Sequence, residues 1–437
     1  MSSSRKSSVH VALLGCGTVG GGVLKLLREN ASFLFARAGA PIEVKHVLVR
    51  DLNKARVADC RREWLTTDPE TIFNDEGVDV VVEVMGGEQP ALRYIERAVE
   101  SGKAVVTANK LLIAKHGPKL VASAISRELD IAFEASVGGG IPIIRTLREA
   151  LSSDSVASVH AILNGTSNYI LTRMRDAGLS FDVALKEAQE LGYAEAEPSL
   201  DVDGHDAAQK LVVMAMLAFG AQVDSSTMLV EGIRRLDEVD FRFADRFGFT
   251  LKHLGIGYDR GERVELRVHP ALVRKNSVLA NVDGVLNGVF VMGRALGPCL
   301  LVGRGAGDMP TAVSVVADLV DVARARFEGK PGLMTRGIQL KTRALLPVEE
   351  VETRYYLRFD VGDHPGVVGS IASALGSEGV SIEQMVQDGR ASGDDGVVPV
   401  CIITHTSREG AVRRAIAAVQ QKSFLKGPPR LIRIEDV

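Results

Sequence analysis

Cysteine is scarce in this 437-residue chain, and the few present are scattered. Cys16, Cys60, Cys299 and Cys401 form no CxxC pair and stand near no histidine cluster, which argues against a disulfide framework or a zinc site and suits a reducing compartment. Charge of a single sign is equally lacking. Lys plus Arg number 52 against 55 Asp plus Glu, a formal net charge of −3, with no basic block to hold a nucleic acid. No apolar stretch is long enough to span a membrane: the longest, Leu211 to Ala221, is about half of the ~20 residues required. The polar and basic residues 1–8 are followed by an apolar stretch broken by Gly15, Gly17 and Gly20 to Gly22, unlike the apolar centre of a signal peptide. Neither a long internal repeat nor a low-complexity segment is visible. A soluble, cytoplasmic protein is expected, without nucleic-acid or membrane partners.

What is present is apolar material, 46% of residues against 24% charged, in a chain longer than one core usually fills, so two or three domains are expected. Val9–Leu14 reads as a strand, Val19–Arg28 as a helix and Ile42–Val49 as the next strand. Further β-branched runs at Val78–Val84, Lys103–Val106 and Ile131–Phe133 alternate with helical stretches such as Pro90–Glu100. That alternation predicts a Rossmann-like, doubly wound parallel sheet over residues 1–141. Residues 142–327 read as a mixed α/β substrate and dimerisation domain. It has helices at Phe181–Leu191 and Asp206–Phe219 and strands at Val264–Val268, Gly288–Met292 and Cys299–Val302, with a last helix after Pro310 free to return to the first sheet. Residues 328–353 read as a linker. In residues 354–437, Tyr355–Val361, Pro365–Leu375, Val380–Gln387, Val397–His405, Glu409–Gln421 and Arg430–Ile434 spell βαββαβ, the ferredoxin-like order.

Gly15-Cys16-Gly17-Thr18-Val19-Gly20 is a complete GxGxxG between strand and helix. Its glycines permit the tight turn that brings a pyrophosphate to the helix N-terminus, so Gly15, Gly17, Thr18, Val19 and Gly20 are assigned to a dinucleotide; a glycine-rich turn without ligand is the plainer reading. After the second strand, where an acid would meet the ribose hydroxyls of NAD, stands Arg50, with Asp51, Lys54 and Arg56 behind it. A cation there suits the 2′-phosphate of NADP, whereas a solvated charged turn leaves NAD open. Thr107 and Lys110 lie at a strand's carboxyl end, where ligands bind in such sheets, although a loop lysine is ordinarily just surface. Gly305, in the loop Gly303 to Thr311, can close over the cofactor or simply make a turn.

Glu134 to Ile141 (EASVGGGI) places three glycines behind a carboxylate. By its residues alone this is first a turn needing positive φ, and second a place where carbonyls beside a carboxylate hold a hard cation. Asp206 and Lys210 stand i,i+4 in a segment that continues apolar on every side. A surface ion pair with Asp203 as cap is the plain account. A lysine held among carboxylates in a buried helix is instead a proton donor or acceptor.

In these motifs, together with Asn164-Gly165-Thr166-Ser167-Asn168-Tyr169 and the Gly192-Tyr193-Ala194-Glu195 block, the chain resembles homoserine dehydrogenase from Gly15 to Thr311. The resemblance implies NAD(P)-dependent interconversion of L-homoserine and L-aspartate 4-semialdehyde on the route to threonine, methionine and isoleucine. Lys210 would be the acid/base group, Lys110 a second lysine near the reacting oxygen, and Glu195 and Asp206 the ligands of the substrate's amino end. It raises the cation reading to a sodium site of Glu134, Val137, Gly139 and Ile141. Glu197 stands where the family often has Asp. The tail, with Asp363-His364-Pro365-Gly366-Val367 at its first turn, resembles an ACT domain. That implies an amino-acid effector, L-threonine, bound between chains of a homodimer or homotetramer. With no kinase domain ahead of residue 9, the monofunctional form is expected. Competing readings are another amino-acid semialdehyde oxidoreductase, such as aspartate-semialdehyde dehydrogenase, which needs a nucleophilic cysteine, and a non-catalytic NADP-binding amino-acid sensor.

Overall fold

The computed structural model describes residues 7–56, 59–387 and 396–437. The chain forms two compact units: residues 1–157, 209–223 and 286–343, and residues 158–208, 224–285 and 344–437.

The first unit is built on a six-stranded sheet in the order Leu65–Thr66, Ile42–Leu48, Val9–Leu14, Val80–Glu83, Ala104–Thr107, Ile131–Ala132. Every neighbouring pair is parallel, the arrangement in which ligands lie beyond the carboxyl ends of the strands. The central strands are largely apolar and fully buried at Val11, Leu13, Val80, Val82 and Val106, as strands covered on both faces must be, whereas Ile42–Leu48 carries Glu43, Lys45 and His46 and is only partly buried. Helix Asp308–Phe327 joins this unit: Val315, Leu319 and Val322 share one core with Val23 and Leu27 of helix Thr18–Glu29. The stretch 328–353, expected as a linker, carries the short helix Leu333–Arg336 and two-residue strands at Lys341–Thr342 and Ala344–Leu345.

The second unit contains a sheet in the order Val156–Ile162, Phe249–Arg260, Arg263–Arg274, Arg430–Glu435, Glu352–Gly362, Val397–Thr404, Ile382–Gln387. Its last four strands, with helices Val367–Ser377 and Glu409–Gln420, give the βαββαβ order expected of the tail. Alternate side chains of Glu352–Gly362 point to opposite faces. Tyr355, Leu357, Phe359 and Val361 pack under the two tail helices. Tyr356 packs with Cys401, Ile403 and Ile432 against Ile170, Phe241 and Leu251. Both faces of the tail sheet are therefore buried, and the parallel register of Ala271 to Val273 with Arg433 to Glu435 makes it continuous with the rest of the unit.

Candidate active site

The turn after the first strand is shaped to receive an anion. Gly15 has φ +102°, and a Cβ on Gly20 would lie 2.5 Å from the Gly15 carbonyl oxygen, so only glycine lets turn and helix close together. Gly17 caps the helix without a side-chain hydrogen bond, and the first turn holds no acidic residue. Its N–H groups and the positive end of the helix dipole make a place favourable to an anion. Thr18 is exposed and Val19 borders the neighbouring cleft. Arg50 is exposed just beyond strand Ile42–Leu48, while Asp51 turns its carboxylate back to the Asn53 N–H at 2.8 Å.

Beyond the carboxyl ends of the central strands lies a cleft of about 300 Å³, lined by Lys110, Lys210, Glu83, Gly138, Gly139 and Gly305 among others. Lys110 opens helix Lys110–Ser126. Lys210 is only 8% exposed on helix His205–Ala218, which is buried nearly all round as its apolar sequence requires. Gly305 has no room for a side chain, because a Cβ would fall 2.0 Å from Nδ2 of Asn287. Asn287 is fully buried, and among the described residues neither polar atom of its amide has a hydrogen-bond partner. A buried amide in that condition beneath a glycine loop fits a loop that gains polar contacts when a ligand binds.

Thr107 ends strand Ala104–Thr107. It is fully buried, its hydroxyl donating to Glu83 Oε2 at 2.6 Å and accepting from the Asn109 N–H at 3.0 Å. Its hydroxyl thereby ties Glu83 and Asn109, both in the cleft lining, to the strand end. The Glu134 carboxylate accepts the N–H groups of Ile144 and Arg145 at 2.9 and 2.8 Å. Burial raises its pKa, and these two backbone bonds act against that rise. The carboxylate faces a helix N-terminus, so a cation among Val137, Gly139 and Ile141 would rest on main-chain oxygens. Gly138 and Gly139, at φ +70° and +54°, supply the turn that the three glycines predict.

Asp206 is 3% exposed and lies one helical turn from Lys210. Asn164 donates through Nδ2 both to it, at 2.9 Å, and to Asp201, at 2.7 Å. Two carboxylates drawn to one amide favour a positive ligand. Burial removes the account of Asp206 and Lys210 as a surface pair, and Asp203 pairs with Arg234 at 2.6 Å instead of capping the helix. Glu195 is exposed on the loop before this region, with its carbonyl accepting from Gln189 at 3.0 Å.

Family models agree with this geometry along the chain. The homoserine dehydrogenase NAD-binding domain matches residues 15–134, the homoserine dehydrogenase model residues 142–320, and the ACT domain residues 355–421. A homoserine dehydrogenase of Pseudomonas aeruginosa is 42% identical over 98% of this chain and 99% of its own. The crystal structure of one from Thiobacillus denitrificans superposes with a TM-score of 0.93 at 44% identity, over 98% of both chains. This chain belongs to the homoserine dehydrogenase family. A more distant homoserine dehydrogenase, hyperthermophilic and archaeal and solved in complex with NADPH, covers 72% of this chain and 97% of its own at 25% identity and TM-score 0.61. As a homoserine dehydrogenase the protein is an NAD(P)-dependent oxidoreductase with a Rossmann-like coenzyme domain and a C-terminal ACT domain.

The competing thiol chemistry finds no support in this homoserine dehydrogenase. Burial pushes the thiols of Cys16 and Cys401 up to about 12, and no cysteine is among the residues lining the cleft. A cavity of similar size in the second unit, about 330 Å³, is lined by Arg175, Asp245, Lys275 and Asp283, charges already paired with one another. Three residues make contacts to which the sequence assigns no role, although Asn164 opens a motif of the family resemblance. Glu83 is fully buried and accepts from Thr107 and from the N–H groups of Met85 and Gly86. Asn109 caps its helix and donates to the Gly87 carbonyl at 2.7 Å. Asn164 caps helix Gly165–Ala177 while tying the two aspartates. Only the position of Glu83 at a strand's carboxyl end could have flagged it.

Proposed function

We propose that the cleft oxidises L-homoserine to L-aspartate 4-semialdehyde, and runs the reverse reduction, with Lys210 as the acid/base group. The observation that carries this reading is a buried lysine in the coenzyme cleft, one helical turn from an aspartate tied to a second carboxylate. The nicotinamide ring, when bound, supplies the hydride acceptor. As the carbon bearing the hydroxyl gives up hydride, Lys210 takes the hydroxyl proton, and in the reduction it returns that proton to the carbonyl oxygen. Lys110 lies near the same oxygen and stabilises its developing negative charge. Asp206 and Glu195 hold the substrate's ammonium, with Asn164 and Asp201 fixing Asp206. Exchanging Asp206→Asn keeps the shape and removes the charge, so KM for L-homoserine rises about tenfold or more while KM for the coenzyme stays put. Steady-state kinetics with each substrate varied in turn checks this, and an unchanged homoserine KM would remove Asp206 from the substrate site.

NADP is the preferred coenzyme and NAD the second. Exposed Arg50 is free to meet a 2′-phosphate because Asp51 is occupied by its own turn. Arg50→Ala then lowers kcat/KM with NADP by about tenfold, the worth of a charge-assisted bond, and leaves NAD turnover nearly unaltered. Equal losses with both coenzymes would refute the assignment. A sodium ion is held by the main-chain oxygens of Glu134, Val137, Gly139 and Ile141.

The tail binds L-threonine and lowers activity when it does so, in a homodimer or homotetramer within the cytoplasm. Among the described residues, strand Ile382–Gln387 ends its sheet, an edge that pairing of tails would cover. Deleting the tail would uncover Phe241 and Leu251, so a point change is the cleaner test. Asp363→Ala, at the first strand-to-helix turn, raises the threonine concentration for half-inhibition about tenfold; inhibition unaltered by that change would place the effector elsewhere.

A further inference from the structure

Helix Asp308–Phe327 carries, one turn apart, two polar side chains that hold both ends of a loop in the cleft wall. The Asp318 carboxylate, 1% exposed, accepts the N–H of Glu134 at 2.8 Å, and the Ser314 hydroxyl, 4% exposed, donates to the Gly139 carbonyl at 2.6 Å. Residues spaced i,i+4 lie on one helix face, so a single rigid element fixes both anchor points. Between them Ala135, Ser136, Gly138 and Gly139 line the cleft beside Lys110 and Lys210, whereas neither Ser314 nor Asp318 does. The two glycines impose little conformation of their own and are costly to order. Burying a carboxylate is costly as well, and Arg145 stands 3.7 Å from its other oxygen. An apolar side chain there would leave the buried Glu134 N–H without its acceptor, so what the carboxylate secures is that one directional bond to the loop.

We propose that Ser314 and Asp318 are positioning residues, a two-point clamp that sets the loop from Glu134 to Gly139 and thereby the cleft wall against which the coenzyme lies. They touch neither coenzyme nor substrate; they act through the loop.

The test uses the full-length enzyme with Ser314→Ala, Ser314→Thr, Asp318→Ala and Asp318→Asn. For each, kcat, both KM values, the coenzyme dissociation constant from the fluorescence of reduced coenzyme and the thermal midpoint are measured. Ser314→Ala and Asp318→Ala lower kcat and raise the coenzyme dissociation constant, each by about tenfold, since small displacements at a reacting centre carry effects of that order or greater. Ser314→Thr keeps the hydroxyl and Asp318→Asn keeps an acceptor for the Glu134 N–H, so both recover most of the loss. A role in stability alone would lower the thermal midpoint and the folded fraction while leaving the coenzyme dissociation constant of the folded enzyme unchanged. That result in Ser314→Ala overturns the proposal, as does a failure of Ser314→Thr to restore coenzyme binding. If Asp318→Ala does not fold, the two Ser314 variants decide.

Discussion

Replacing Lys210 with alanine is expected to lower turnover of L-homoserine about a thousandfold, within the range that a positioned acid/base group contributes, and to leave coenzyme binding intact. Alanine is the best helix former, and Lys210 sits in a helix whose neighbours Leu211 to Met216 are all buried, so the helix has every reason to persist. The coenzyme turn, at Gly15 to Gly20, belongs to a different element. Turnover and the fluorescence titration of reduced coenzyme therefore separate: the first collapses and the second does not. A small added amine that enters the vacated space should restore part of the rate. Turnover within tenfold of the parent would remove Lys210 from the chemistry and return the proton to Lys110.

Replacing Arg433 with methionine is expected to destabilise the protein by about 3–5 kcal/mol, the cost of stranding buried charges. Arg433 is fully buried and is bonded through its guanidinium to Glu409, also fully buried, and to Glu231 at 2.8 Å. Burial alone would push the Glu409 carboxyl up, yet Arg433 and then Arg413 hold it below its ordinary value. A carboxyl lowered in the folded state stabilises fully above its unfolded value, about 4.3 for Glu, and that stability is lost as pH falls through the lower folded value. Thermal unfolding near neutral pH should show a midpoint lower by roughly 10 °C. The pairing of Arg433→Met with Glu409→Leu should recover part of it, because the fully buried carboxylate goes with its partner, while the partly exposed Glu231 and Arg413 are left 3.7 Å from each other. An unaltered midpoint in the single variant would show that the network contributes nothing to the continuity of the tail with its unit.

The parts of this enzyme legible in sequence were those whose chemistry is local. The glycine turn announces itself because Gly15 and Gly20 are required by contacts five residues apart. The burial of Asp206 and Lys210 could be read from the apolar run they enter. Strand Leu65–Thr66, two residues long, offers no periodicity to read. Strand Phe249–Arg260 was hidden because Lys252 and His253 interrupt its apolar pattern. Both are buried by partners far along the chain, Lys252 donating to the Val282 carbonyl at 2.7 Å and His253 meeting the Glu231 carbonyl at 3.0 Å. The same holds for Asn164, whose partners lie 37 and 42 residues away, and for the Ser314 and Asp318 clamp. Thr107 and Glu134 stand in segments that the sequence singles out. Their side chains turn inward because a buried hydroxyl found Glu83 and a buried carboxylate found a helix N-terminus.

The most direct test of the account is the appearance of reduced coenzyme when the purified full-length protein is mixed with L-homoserine and NADP, or NAD, with parent and Lys210→Ala proteins side by side. The account predicts homoserine-dependent reduction by the parent, almost none by the variant, and the same coenzyme affinity in both. Coenzyme binding by the parent with no homoserine-dependent reduction in either direction of the reaction would contradict it.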